Sequence, residues 1–141
     1  MKSNVIKELN TFLEGNFMAI HAYENYIHHI DDVDIKQVLQ KIQQEHKQHA
    51  MMIAERIQNL DGIPVDDAGM MGNVAEFINK IKGSTKGSTD ILKDALVGEH
   101  RGIEKSKKLL DGDLDPESRA LVKNILDVDQ KHVDLLDRLA H

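Results

Sequence analysis

The chain has no cysteine, no tryptophan and only two prolines. Without thiols it has no disulfides, no thiolate metal sites and no cysteine nucleophile. No stretch approaches the ~20 consecutive apolar residues of a membrane span. The opening Met1-Lys2-Ser3-Asn4 runs straight into an amphipathic pattern with no apolar segment of a secretory signal behind it. A basic arm is missing too. Net charge is −6 and the pI is near 5.7, which argues against nucleic acid and against an anionic membrane surface as partners. A cytoplasmic location is expected.

What is present suits one packed core. The chain has 141 residues, 40% of them hydrophobic, so a single domain over 1–141 is expected. Aromatics are scarce, and Leu, Ile, Lys, Gln, Glu and Asp dominate, which favours helix over strand. Eight histidines are more than packing needs, so their placement matters.

Apolar residues recur at steps of three and four in four stretches. The first predicted helix runs from about Ser3, a plausible N-cap, to Ile30, with Ile6, Leu9, Leu13, Phe17, Ile20 and Ile27 on one face. Asp31-Asp32-Val33-Asp34 ends it and caps the second helix, about Asp34 to Leu60, which Asp61-Gly62-Ile63-Pro64 stops. The third runs from about Thr89 to Leu110. The fourth opens at Pro116, behind the N-cap Asp115, and reaches about Ala140. Between the second and third lies a long connection, 61–88. It holds a short amphipathic segment, about Asn73 to Lys82, and then Gly83-Ser84-Thr85-Lys86-Gly87-Ser88. The expected fold class is all-α: a four-helix bundle of two hairpins joined by a crossover that spans its length. No fifth helix is expected.

Polar residues interrupt the apolar faces in register. Glu99, Asp129 and His132 fall on the inner faces of the last two helices, where an unpaired carboxylate is costly. An offset of 83 residues superposes the two halves. Leu13/Leu96, Gly15/Gly98, Ile20/Ile103, Asp32/Asp115, Ile42/Ile125 and His49/His132 are identical pairs. The same offset lays Asn16 over Glu99 and His46 over Asp129. In both halves the first inward polar residue precedes the histidine by 33 positions. The repeat therefore predicts one polar, metal-binding site inside the bundle. Residues three apart lie one above the other on a helix face, so an acidic-x-x-His pair can reach one ion. The donors expected to converge are Asn16, His46, His49, Glu99, Asp129 and His132. Glu45 is a further carboxylate, set about 100° around the helix from His46.

These residues carry a resemblance. The pattern Gly15-Asn16 with Ala19-Ile20-His21-Ala22-Tyr23 resembles the first helix of bacterioferritins. Gln48-His49-Ala50 through Glu55-Arg56-Ile57, then Leu60-Asp61-Gly62-Ile63-Pro64, is similar to their second helix and its exit. Glu99 matches the third-helix Glu, and Asp129-x-x-His132 the final Glu-x-x-His. The chain thus resembles the ferritin-like superfamily, including small bacterial ferritin-like di-iron carboxylate proteins. The resemblance implies a ferritin-like bundle that binds iron, with zinc or manganese as variants, and that handles or oxidises Fe(II). In that reading Glu99 bridges, His49 and His132 each hold one side, Asp129 is terminal, and His46 and Asn16 complete the other half. Asn16 and His46 stand where the family has Glu. Lys47 stands where bacterioferritins carry their haem-ligating Met, so no haem is expected. A homodimer or higher homo-oligomer is expected by the same analogy. The alternative is a metal-free bundle that retains a hydrogen-bonded remnant of the site and acts as a stress or regulatory interaction protein.

Overall fold

A computed structural model of the protein describes residues 2–67 and 87–141. Four helices account for most of them: α1 (Lys2–His29), α2 (Val33–Asn59), α3 (Ser88–Leu110) and α4 (Pro116–Ala140). α1 already includes Lys2, so Ser3 lies inside the helix rather than capping it. The short amphipathic segment expected near Asn73–Lys82 lies outside the described residues. Among the described residues no helix is long and apolar enough to cross a membrane.

The internal repeat extends to the caps. Asp32 accepts a hydrogen bond from the Ile35 amide at the start of α2, and Asp115 accepts one from the Ser118 amide at the start of α4. Both carboxylates satisfy an amide that the first helical turn leaves without a partner. The exit of α2 divides its tasks between two residues. Asp61 takes the left-handed backbone conformation (φ 67°), and its amide donates to Gln58 while that of Gly62 donates to Ile57, as in a Schellman turn. Gly62 keeps an ordinary backbone. A Cβ there would meet Ile6 Cγ2 at 2.8 Å, so its role is close approach to α1.

Two apolar clusters fill the ends of the bundle. One joins Val5, Leu9 and Leu13 of α1 to Ile53 and Ile57 of α2 and Val122 and Ile125 of α4. The other joins Tyr26 and Ile27 of α1 to Leu39 and Ile42 of α2, Ile91 and Leu92 of α3 and Leu136 of α4. It follows that α3 runs in the same direction as α2, so the connection between them has to return along the bundle.

Repeat-related residues fall in opposite clusters: Leu9 against Leu92, Leu39 against Val122, Ile42 against Ile125 and Ile53 against Leu136. That exchange is the signature of a pseudo-two-fold axis across the bundle. Only residues near the middle can meet their repeat mates, and the middle is where the polar positions lie. Packing within each hairpin, α1 on α2 and α3 on α4, is much closer than packing between α1 and α3 or between α2 and α4.

Candidate metal centre

Between the two apolar clusters four ionisable side chains meet: His46 from α2, Glu99 from α3, and Asp129 and His132 from α4. All four are buried, none more than 5% exposed. Each offers one ligand-type atom, and these atoms all lie within 4.8 Å of one another. Glu99 is the hub. Its Oε2 lies 2.9 Å from His46 Nε2 and its Oε1 2.7 Å from His132 Nδ1. Asp129 sits one turn before His132 on α4, with Oδ1 3.4 Å from His132 Nδ1. A Cβ at Gly102 of α3 would lie 3.7 Å from Asp129 Oδ2, so the missing side chain leaves room beside that carboxylate.

The electrostatics follow from these contacts. Burial alone would raise the Glu99 pKa. Hydrogen bonds from His132 and His46, and the charge on them, outweigh it and bring the carboxyl down to about 2. For His132 burial works downward, but the nearby carboxylates of Asp129, Glu99 and Glu45 prevail and raise the imidazole to about 10. Thus Glu99 is held as a carboxylate and His132 as an imidazolium. His49 behaves oppositely. Burial, aided by the repulsion of His46 and His132, lowers its pKa and keeps the ring neutral.

The remaining expected donors take different places. Glu45, set off the register of the inner face, nonetheless reaches His132 Nε2 at 3.1 Å. It crosses from α2 to α4 with its side chain still 35% exposed. His49 is buried next to His46, ring centroids 6.2 Å apart, but stands outside the four-residue group. Asn16 turns its amide nitrogen to the His46 backbone carbonyl, at 2.6 Å. It therefore braces α1 against the middle of α2. His28, His29, His100 and His141 are exposed. His21 pairs with Asp67 at 2.8 Å and ties the start of the crossover to α1.

Among the described residues, three buried atoms of the inward histidines and Asp129 have no hydrogen-bond partner: His46 Nδ1, His49 Nδ1 and Asp129 Oδ1. Orphaned buried polar atoms are costly. His46 Nδ1 and Asp129 Oδ1 stand 4.0 Å apart. That is too far for a hydrogen bond and within the span of two metal–ligand bonds of ~2.0–2.2 Å each. Two imidazoles and two carboxylates are also a donor set suited to first-row divalent ions. The residues present therefore fit a cation.

Tyr23 of α1 closes the centre. It is 2% exposed, and its ring centroid is 5.4 Å from that of His46. Burial first, then the charge of the adjacent Glu99, push its pKa well above 10. Its hydroxyl is close to Glu99 but makes no hydrogen bond of standard geometry. A cavity of about 440 Å³ opens beside the centre, between α1 and α3. The sequence did not single it out. Its signal was the run of small residues Gly15, Ala19 and Ala22 facing Ala95, Gly98 and Gly102.

Comparison with known proteins places the fold. Residues 4–112 match the model of a domain of unknown function, DUF2383, a range that ends before Asp129 and His132. No curated protein matches the sequence. Among solved structures, one similar chain is a two-domain protein from Anabaena variabilis with DJ-1/ThiJ/PfpI-like and ferritin-like domains (TM-score 0.80, 24% identity). The match covers 99% of the present chain and 40% of that one, so the chain spans well under half of that protein's length. The bacterioferritin-related dodecameric thioferritin of Bacteroides fragilis is similar over 98% of this chain and 84% of its own (TM-score 0.82, 19% identity). The bacterioferritin of Desulfovibrio desulfuricans, described with a di-iron site, is similar over 99% of this chain and 79% of its own (TM-score 0.78, 22% identity). The fold is therefore the ferritin-like four-helix bundle that the sequence resemblance implied.

Proposed function

This chain belongs to the DUF2383 family, and from its fold and its buried centre we propose that it is a ferritin-like metal-binding protein taking one first-row divalent ion per chain. The observation that carries this reading is the pair of orphaned atoms, His46 Nδ1 and Asp129 Oδ1, 4.0 Å apart in a buried group that also holds Glu99 and His132. Iron(II) is the first choice, because the bundle is shared with iron proteins, with zinc and manganese as variants.

The residues divide the work. Glu99 and Asp129 supply two negative charges that offset the cation, and His46 and His132 supply directional nitrogens. His132 has to give up its proton to bind, and Glu45, bonded to its other nitrogen, then orients the neutral ring. Bound iron would supply one-electron chemistry toward oxygen or peroxide. Asn16 offers an amide spent on the His46 carbonyl where a carboxylate would add charge. That favours a single ion over a pair and iron binding over rapid iron oxidation. Similarity to a dodecameric protein supports a homo-oligomer.

The second reading, a metal-free hydrogen-bonded network, is favoured by one observation: Glu99 is already satisfied by two imidazoles. Elemental analysis of protein from iron-supplemented cells, with anaerobic Fe(II) titration, decides between them. About one ion per chain, lost in His132→Ala, supports the first reading. No ion, and no thermal stabilisation by Fe(II), Zn(II) or Mn(II), overturns it.

A further inference from the structure

The cavity between α1 and α3 meets the metal centre only at its inner end. At about 440 Å³ it falls within the ~300–1,000 Å³ typical of small-molecule sites. Its walls explain why it stays open. Gly15, Ala19 and Ala22 on α1 face Ala95, Gly98 and Gly102 on α3. Such residues allow close helix approach, yet these two helices pack much less closely than the pairs within the hairpins. The crystal-like density of a protein interior is not reached here.

The two ends of the cavity differ in chemistry. Its inner end is formed by Tyr23, His46 and Asp129, each at least nine-tenths buried. Each carries an atom without a hydrogen-bond partner: Tyr23 Oη, His46 Nδ1 and Asp129 Oδ1. Its outer end is formed by exposed Val97, Gly98, Arg101 and Lys105. Arg101 and Lys105 are one turn apart on α3, and the Lys105 ammonium extends across the mouth to Gly15 of α1, 3.2 Å from where a Cβ there would lie. Between the ends the surface is mainly apolar, from the small residues, Phe12 and Met18.

We propose that this cavity binds a small organic anion. Its acidic group rests on Arg101 and Lys105, and its apolar body extends between α1 and α3 toward Tyr23. The orientation follows from charge. The inner end carries the Glu99 and Asp129 carboxylates and Asp94 adds one to the α3 wall, whereas Arg101 and Lys105 give the mouth two cations. The slender, Gly- and Ala-lined walls suit an aryl or alkyl body better than a sugar or nucleotide, which would leave polar groups unpaired against them. The inference shares His46, Glu99 and Asp129 with the metal reading at the cavity's inner end, and rests on the mouth and the walls, which lie outside the four-residue group.

The test uses three probes of one shape and different charge, 4-phenylbutyrate, 4-phenylbutanol and 4-phenylbutylamine. Calorimetry measures their binding to the full chain with and without Fe(II). The expected order is carboxylate, alcohol, amine. Loss of Arg101 and Lys105 together (R101A/K105A) should weaken the carboxylate about fivefold, the scale of exposed ion pairs, and leave the alcohol unchanged. Gly98→Leu, where a Cβ meets nothing within 4 Å, fills the cavity and should abolish binding of all three. Ala19→Leu does the same from the opposite wall if the first variant folds poorly. Equal binding of the three probes, binding undiminished in the filled variants, or no binding to the parent protein overturns the proposal. The metal reading is judged separately by the ion content of the same samples, so the failure of one is distinguishable from the failure of the other.

Discussion

Glu99 and His132, from α3 and α4, form a buried pair at 2.7 Å in which the carboxyl is pulled down to about 2 and the imidazole pushed up to about 10. Each group stabilises the charge of the other, and both leave the range of their ordinary values. Breaking such a pair costs more than its net contribution to stability, because the survivor is left charged and buried. His132→Ala should therefore destabilise the metal-free protein by about 3–5 kcal/mol, while Asp137→Ala, at an exposed site on the same helix, should cost little. Urea unfolding of the two variants measures the difference.

The same pair sets a pH profile for the metal-free protein. Glu99 has its folded pKa lowered, so its stabilisation is complete above 4.5 and disappears as pH falls toward about 2. His132 has its folded pKa raised, so its contribution is complete below 6.5 and disappears as pH rises toward about 10. His49, held neutral below its ordinary 6.5, adds a loss as pH falls past that value, because the unfolded chain then binds the extra proton. Stability should peak near pH 6.5 and fall on both sides, first through His49 and later through Glu99 on the acid side. Midpoints of urea denaturation across pH, with chelator present, follow this profile, and His132→Gln should flatten the alkaline limb.

Metal binding should reverse part of that alkaline loss. The ion needs His132 neutral, so binding releases its proton and tightens as pH rises. At an ion concentration about a hundredfold above Kd, one site should stabilise the fold by about 2.7 kcal/mol. Thermal melts with and without Fe(II) at two pH values should show the larger gain at the higher pH. A gain independent of pH would place the ion away from His132.

Much of this was legible in the sequence because the period of the apolar residues and the 83-residue repeat impose geometry. Leu9 and Leu92 had to lie at opposite ends, and His46, Glu99, Asp129 and His132 had to meet near the axis. Side-chain reach was less legible. Glu45 lies about 100° from the inward register, yet its length carries it to His132. Asn16 lies in register, but its short amide meets the His46 carbonyl first. The cavity was hidden for another reason. Small residues in a helix pattern signal close packing as readily as a gap, and only the actual spacing of α1 and α3 decides between them.

The bracket between the hairpins offers a control far from the metal centre. Arg56, near the end of α2, donates to Asp115 at 2.7 Å and to Ser118 at 3.0 Å, and also pairs with Glu117. Burial would raise the Asp115 pKa, but the Ser118 and Arg56 contacts lower it. Arg56→Ala removes a tie between the two hairpins and one support of the α4 cap, and should destabilise by about 1–3 kcal/mol. Because Asp115 is held below its ordinary value, the lost stability is present above pH 3.8 and fades as the pH falls below it. The variant and parent should therefore converge in acid while keeping equal metal content.

Asn16 is where the two halves of the repeat diverge most usefully. Its mate, Glu99, gives the second hairpin a carboxylate at the centre, whereas Asn16 gives an amide committed to a backbone carbonyl. His49 meanwhile keeps Nδ1 free in the same half. Asn16→Glu removes the hydrogen bond to the His46 carbonyl, at a cost of about 0.5–1.5 kcal/mol, and places a carboxylate against the middle of α2, the helix that carries the neutral His49. A buried carboxylate is tolerated only when paired, and a second cation shared with His49 is the pairing at hand. The metal-free variant should be less stable than the parent, and the Fe(II)-loaded variant should regain the difference. Ion content should rise from about one toward two per chain, in keeping with the paired-metal pattern of such bundles. A content that stays at one, with no recovery of stability on Fe(II) addition, would show that the first half cannot be restored through Asn16 alone and that His46, standing in place of a bridging carboxylate, is the stronger barrier.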